Sequence, residues 1–270
     1  MNAAPEATLR VRVDATNPGQ FFACCGLLET ADRLWGGAEG WFEGGAFLFR
    51  PLDAHSAAGA TLAGLLRAVA EAPLQQTDPA DDYSSPVELL GPFRLRLDWW
   101  KDTRSGGKPL KVWAGTMKSL RIARAMQSVL LRPEIHNEEV FDHGTVVHDP
   151  EEPAKKVEPF YFDARRGSNA RAIDIGFAPD TLHRMTTLAY PAVEFLCLVG
   201  LQRFRPAAAG SPRVFDYQTW AVPLATCIAQ SAASGALPAV GSRNFRFEVC
   251  FRTDQKKHKA FAPATATIRS

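Results

Sequence analysis

Residues Thr8 to Asp14 (TLRVRVD) alternate apolar and polar side chains, the period of a strand with one face in a core. The period then changes. Phe21, Phe22, Cys25, Leu28 and Leu34 recur at helical spacing, with Glu29, Asp32 and Arg33 on the opposite side. Asn17 stands where an N-cap belongs, and Pro18 at the first helical position, where no backbone donor is needed. Gly26 inside the helix predicts close packing on a sheet, because glycine there otherwise costs roughly 1 kcal/mol against alanine. Gly36-Gly37 predicts the helix stop, and Trp41–Glu43 with Phe47–Arg50 predicts a hairpin around Gly44-Gly45. The alanine- and leucine-rich stretch 57–72 predicts a second helix that Pro73 ends. The resulting order, β-α-β-β-α, is that of a ferredoxin-like half sandwich.

Further along, Phe93–Asp98 reads as a strand and Thr116–Leu131 as a helix, with Met117, Leu120, Ala123 and Leu130 facing inward. From 132 to 157 the pattern dissolves into Pro, His, Glu and Asp, an exposed acidic insertion. Tyr161-Phe162 and Ala172–Gly176 read as short strands, and Thr186–Leu201 as a buried helix with Pro191 in its first turns. Strands over 213–217 and 219–222, a helix near 225–233 and an alternating strand over 244–252 complete the chain. The expected class is α+β: an antiparallel sheet with helices on one face, and loop insertions. One domain over 1–270 accommodates it, divisible into ferredoxin-like halves at about 8–130 and 155–255.

A hydrophobic fraction of 46% and a charged fraction of 22% describe an ordinary globular protein. The formal net charge is only +2, so any basic binding surface must come from clustering. Five cysteines, at 24, 25, 197, 227 and 250, form an odd set without CxxC spacing. That argues against zinc and a disulfide framework and fits a reducing cytoplasm. The paired Cys24-Cys25 reads as core. Neither a secretory signal nor a membrane span is expected, since the longest apolar segment, Leu188–Leu201, is short and contains Pro191 and Glu194.

His136, His143 and His148 share the acidic insertion, but their spacing matches no closed zinc motif. GxSxG, P-loop and dinucleotide fingerprints are absent, so neither cofactor nor metal is expected. The stronger constellation is basic and aromatic. Lys101, Arg104, Lys108 and Lys111 lie between Trp99-Trp100 and Trp113, followed at three-residue steps by Lys118, Arg121 and Arg124. Such cations neutralise phosphates, and a tryptophan plane stacks on unpaired bases. Arg165, Arg166 and Arg171, with Ser168 and Asn169, form a second candidate phosphate-binding loop. The same residues also suit a solvated helix face beside core tryptophans. The tail Lys256–Lys259 reads as solubilising.

Three of these stretches, NPGQFFACCGLLETADRLWGGAEGWF from Asn17, LDWWKD from Leu97 and LKVWAGTMKSLRIARAM from Leu110, resemble a Csb-type subunit of type I-U (I-G) CRISPR–Cas operons. The resemblance covers residues 8–130. It implies a RAMP-type core, which is RRM-like and ferredoxin-like. It also implies a place in a crRNA-guided surveillance (Cascade) complex for antiviral defence, contacting crRNA, target DNA and other effector subunits. Proteins of this kind grip the guide backbone while base pairing supplies specificity. No catalytic residue carries over. Two alternatives stand beside this reading: a metal-independent repeat-RNA endoribonuclease using one of the three histidines, and a protein–protein adaptor without RNA contact.

Overall fold

A computed structural model describes residues 8–80, 85–98, 110–113, 117–165, 188–237, 241–252 and 258–268. Strand β1 (Leu9–Arg12) leads through Asn17 into helix α1 (Pro18–Trp35). Asn17 has extended dihedrals, and its Oδ1 accepts from Gly19 N at 3.1 Å and Gln20 N at 3.4 Å, satisfying donors that the first turn leaves free. Gly36, at φ 72°, ends the helix in the left-handed region that favours glycine. β2 (Ala38–Glu43) and β3 (Ala46–Pro51) then pair with Glu43 opposite Ala46. Gly44 and Gly45 sit at φ 55° and 77°, the two positive values that a two-residue type I′ hairpin requires.

A single helical turn at Ala54–Ala57 precedes α2 (Leu62–Glu71), which starts later than expected because the Thr61 hydroxyl caps it, accepting from Gly64 N at 2.9 Å. β4 (Leu74–Gln76), β5 (Val87–Leu89) and β6 (Leu95–Leu97) follow. Next come α3 (Ser119–Val129), a 3₁₀ turn (Pro133–Ile135) and α4 (Pro191–Arg203). β7 (Ala207–Ala208), β8 (Val214–Thr219), β9 (Leu224–Ala225), α5 (Thr226–Ala233), β10 (Arg243–Phe251), β11 (Lys259–Phe261) and β12 (Thr265–Thr267) complete the order.

The chain is α+β, and its described residues form three antiparallel sheets: β1-β3-β2-β9, β4-β5-β6, and β7-β8-β10-β11 with β12 also on β10. The first sheet carries the β-α-β-β unit read from the sequence, with α1 as the crossover between β1 and β2. The strand after α2 joins the second sheet. The outer edge of β1 instead meets residues 138–139. Arg12 N donates to Glu138 O at 2.7 Å, and Arg12 Nη1 pairs with Glu139 at 2.5 Å. The acidic insertion is therefore not a plain exposed loop: Ile135, Val140, Phe141 and Val147 are buried.

Helix α1 is buried on every side from Pro18 to Ala31. Its Phe21 stacks on Tyr217 at 4.4 Å and on Phe42 at 5.4 Å, and its Phe22 meets Phe247 at 6.3 Å. The Tyr217 hydroxyl donates to Ala15 O at 2.6 Å and Trp220 Nε1 to Gly40 O at 2.7 Å, so both large aromatics bury their polar ends with partners. β9 pairs with β2, so the C-terminal stretch completes the N-terminal sheet.

The closest packing of α1 is against a helix, not the expected sheet. A Cβ on Gly26 would lie 2.0 Å from Leu196 O, and one on Gly200 would lie 2.0 Å from Phe22 O. Two glycines thus face each other where α1 crosses α4. Three further expectations change. Pro191 opens α4, and does not sit inside a helix begun at 186. The strands expected at 213–217 and 219–222 merge into β8. Tyr161-Phe162 is irregular, while 172–176 lies outside the described residues. Among the described residues, no helix is long and apolar enough to cross a membrane.

Candidate nucleic-acid interface

Helix α3 carries Lys118 at its N-cap and Arg121 and Arg124 along one face. Its opposite face, through Ile122, Ala123, Met126 and Val129, is buried, which fixes the outward direction of the two arginines. Both are engaged by their own chain, Arg121 at 27% and Arg124 at 40% side-chain exposure. Arg121 pairs with Asp149, and with Glu152 at 3.5 Å. Arg124 Nη1 donates to Glu151 at 2.8 Å, and its Nη2 donates to Leu74 O at 3.1 Å. Burial would raise the Asp149 pKa. The amides of Glu151 and Glu152 together with the Arg121 guanidinium outweigh that and hold it below the usual carboxylate value. The segment 149–152 thus lies as an acidic strap along the basic face. A cavity of about 500 Å³ opens between them, lined by Lys118, Arg121, Arg124, Asp149, Glu151 and Glu152 among others.

Trp113, expected as a base-stacking platform, is buried, with its ring 4.8 Å from that of Phe160. A plane enclosed in the core stacks on no base, so that expectation is corrected. Lys111 lies 5.4 Å over the same ring and remains partly exposed. Beside it, Lys259 N donates to Val112 O at 2.9 Å, joining the segment before Trp113 to β11. Lys259 stands opposite Phe251 in the ladder, and Arg213 lies over the Phe251 ring at 4.6 Å. Three cations from three remote segments therefore meet. Partial burial, then the charges of Lys111 and Arg213, pull the Lys259 pKa down from 10.5 to about 8. The tail read as solubilising thus contributes Lys259 to a strand and to this cluster.

Arg165 serves the interior. It forks onto Asp163 through Nε at 3.0 Å and Nη2 at 2.7 Å, and reaches Asp142 at 2.8 Å and Phe141 O at 2.6 Å. Its guanidinium also lies 3.5 Å over the Tyr190 ring. Burial opposes its charge, but the two carboxylates prevail and raise its pKa. Asp163 is itself bound by Asn17 Nδ2 at 3.0 Å, and Ala164 N donates to Asn17 Oδ1 at 3.1 Å. Lys101, Arg104, Lys108, Arg166 and Arg171 lie outside the described residues.

His136 bonds Leu130 O at 2.8 Å and His148 bonds Pro153 O at 2.7 Å, while His143 lies 3.4 Å from Asn137 Nδ2. Among the described residues, no group of three or more His, Cys, Asp or Glu is placed to hold a metal ion. Cys24, Cys25 and Cys197 are fully enclosed, and burial pushes each thiol well above its usual pKa. The thiolate that a nucleophile needs is thereby suppressed.

Comparison with protein-family models, curated proteins and solved structures finds no match to this chain. The geometry therefore stands alone. It holds two basic features: the α3 face, with carboxylates of its own chain on Arg121 and Arg124, and the Lys111, Arg213 and Lys259 cluster, whose charges act on one another. Arg213 Nη2 lies 3.4 Å from Glu248. Sequence reading missed Arg213 and Lys259. The available signal was slight: the short apolar run Ala260-Phe261-Ala262 directly after the lysines, which has no strand period of its own.

Proposed function

We propose that this protein is a non-catalytic structural subunit of a cytoplasmic crRNA-guided surveillance (Cascade) complex, gripping the guide-RNA backbone and neighbouring subunits. The observation that carries the reading is the convergence of Lys111, Arg213 and Lys259. A phosphodiester chain presents repeated negative charge to such a group of cations, and neutralising its phosphates releases the counterions condensed on it. The resemblance in residues 8–130 names RNA as the polyanion. The β-α-β-β unit, with β3 between β1 and β2, supports a ferredoxin-like, RAMP-type core. This reading gives no catalytic role to His136, His143 or His148.

The test is fluorescence anisotropy with a labelled guide RNA at 50 and 200 mM salt, comparing wild type with Lys111→Ala/Lys259→Ala. The double variant is expected to bind more weakly. Its salt slope should be shallower by about 1.4, two lost phosphate contacts at about 0.7 each for a single strand. An unchanged affinity and slope, or no binding by wild type at the lower salt, overturns the proposal.

A further inference from the structure

The acidic strap and helix α3 form a second charged site whose residues are distinct from the Lys111–Arg213–Lys259 cluster. The cavity between them is lined by four cations (Lys118, Arg121, Arg124 and Lys155) and three carboxylates (Asp149, Glu151 and Glu152). At about 500 Å³ it is the size of a small-ligand pocket, yet its lining is dominated by charge. Arg121 and Arg124 stand one helical turn apart, each with a side-chain carboxylate from 149–152 on its guanidinium. Carboxylates from one short segment thus sit on arginines along one helix face, the kind of contact that backbone phosphates make with arginine.

Two of the three strap carboxylates are open to solvent. Glu151 and Glu152 are 73% and 63% exposed, so their pairs are solvated and screened by salt. Asp149 is the anchor. It is nearly enclosed and accepts from Glu151 N at 2.8 Å, so the loop keeps its local turn whether or not Arg121 is engaged.

We propose that the outward face of α3 is a second phosphate-backbone site, which the 149–152 strap occupies by mimicry in the free protein and yields to a single-stranded nucleic acid. The proposal shares its ligand class with the function proposed above but none of its residues, so the two can fail separately. Displacement exposes Arg121 and Arg124 together, because one loop covers both. It also makes binding at this site dependent on polyanion length, since a single phosphate replaces only one of the carboxylates.

The test places Asp149→Asn/Glu151→Gln/Glu152→Gln in the Lys111→Ala/Lys259→Ala background and measures anisotropy with a labelled single-stranded RNA at 50 to 200 mM salt. The expected result is a gain of about tenfold in affinity over the parent at the lower salt. The slope of log affinity against log salt should steepen by about 1.4, two phosphate contacts at about 0.7 each. Adding Arg121→Ala/Arg124→Ala should remove the gain. Glu151→Gln/Glu152→Gln alone changes only exposed side chains, so it guards against misfolding and should give a smaller gain in the same direction. If these strap variants bind no better than their parent, the strap is a structural brace and the proposal falls. If wild type ignores RNA while the strap variants bind it, the masked site stands and the Lys111–Lys259 reading falls.

Discussion

Replacing Gly26 by alanine tests the crossing of α1 and α4, on which the whole core depends. The new Cβ would lie 2.0 Å from Leu196 O, 2.8 Å from Leu196 C and 3.2 Å from Gly200 N, all backbone atoms that no rotamer change can move aside. Carbon–oxygen contacts settle at about 3.3 Å or more, so the helices must part by roughly 1.3 Å at this point. A gap of that order forfeits a quarter to a half of the dispersion attraction between the facing side chains. Overpacking of this kind costs about 1–3 kcal/mol and sometimes more, against about 1 kcal/mol regained because alanine suits a helix better than glycine. With the lost contacts added, the expected net destabilisation is about 2–4 kcal/mol. At roughly 2–4 °C per kcal/mol for a chain of this size, the melting midpoint should drop by at least about 4 °C. Urea and thermal unfolding followed by circular dichroism provide the readout. Gly200→Ala should behave alike, its Cβ meeting Phe22 O at 2.0 Å, and the double variant should cost less than the sum because the helices part only once. A Gly26→Ala protein that melts at or above the wild-type temperature refutes the reasoning.

Two further outcomes follow from the polar groups. Asn17→Ala removes the α1 cap and also strips partners from buried Asp163 and Ala164 N, so it should cost about 2–4 kcal/mol in urea unfolding. Asn17→Ser should recover only the capping part, and a loss under about 1 kcal/mol for alanine would show that the cross-chain bonds contribute nothing. Burial first, then repulsion from Lys111 and Arg213, lowers the Lys259 pKa from 10.5 to about 8, so the cost of its charge in the folded protein is present below pH 8. Stability should therefore rise between those values, where the unfolded chain binds the extra proton, and RNA affinity should fall as pH climbs from 7 to 9. Lys259→Met should flatten both profiles, and identical profiles for the two proteins would rule out the Lys259 assignment.

The first third of the fold is legible in the sequence because its determinants are local. Asn17, Pro18 and Gly36 set both ends of α1, and Gly44-Gly45 sets the hairpin. The partner of Gly26 was not legible, since a glycine announces that something comes close but not what. Ion pairs have no periodicity either. Nothing in the spacing of Arg121 and Arg124 announces carboxylates some 25–30 positions later, and a helix face that reads as free cations is in fact engaged. Trp113 misled for a related reason: a lone tryptophan among lysines lacks the flanking pattern that separates a core side chain from an exposed platform. The Lys111–Lys259 meeting arises from one backbone hydrogen bond between segments nearly 150 residues apart, which only the folded chain reveals.

The pairing of Gly26 with Gly200 also sets a timetable for the chain during synthesis. At about 5–20 residues per second, roughly 10–35 s separate the emergence of one glycine from that of the other. Throughout that interval α1, which the finished fold buries from Pro18 to Ala31, has no α4 to cover it, and its Asn17 cap still lacks residues 163 and 164. The nascent chain therefore carries an exposed hydrophobic helix until more than two thirds of it has been made. Its yield in the cell should depend on holdase chaperones and on slow, cool expression more than on the stability of the finished fold.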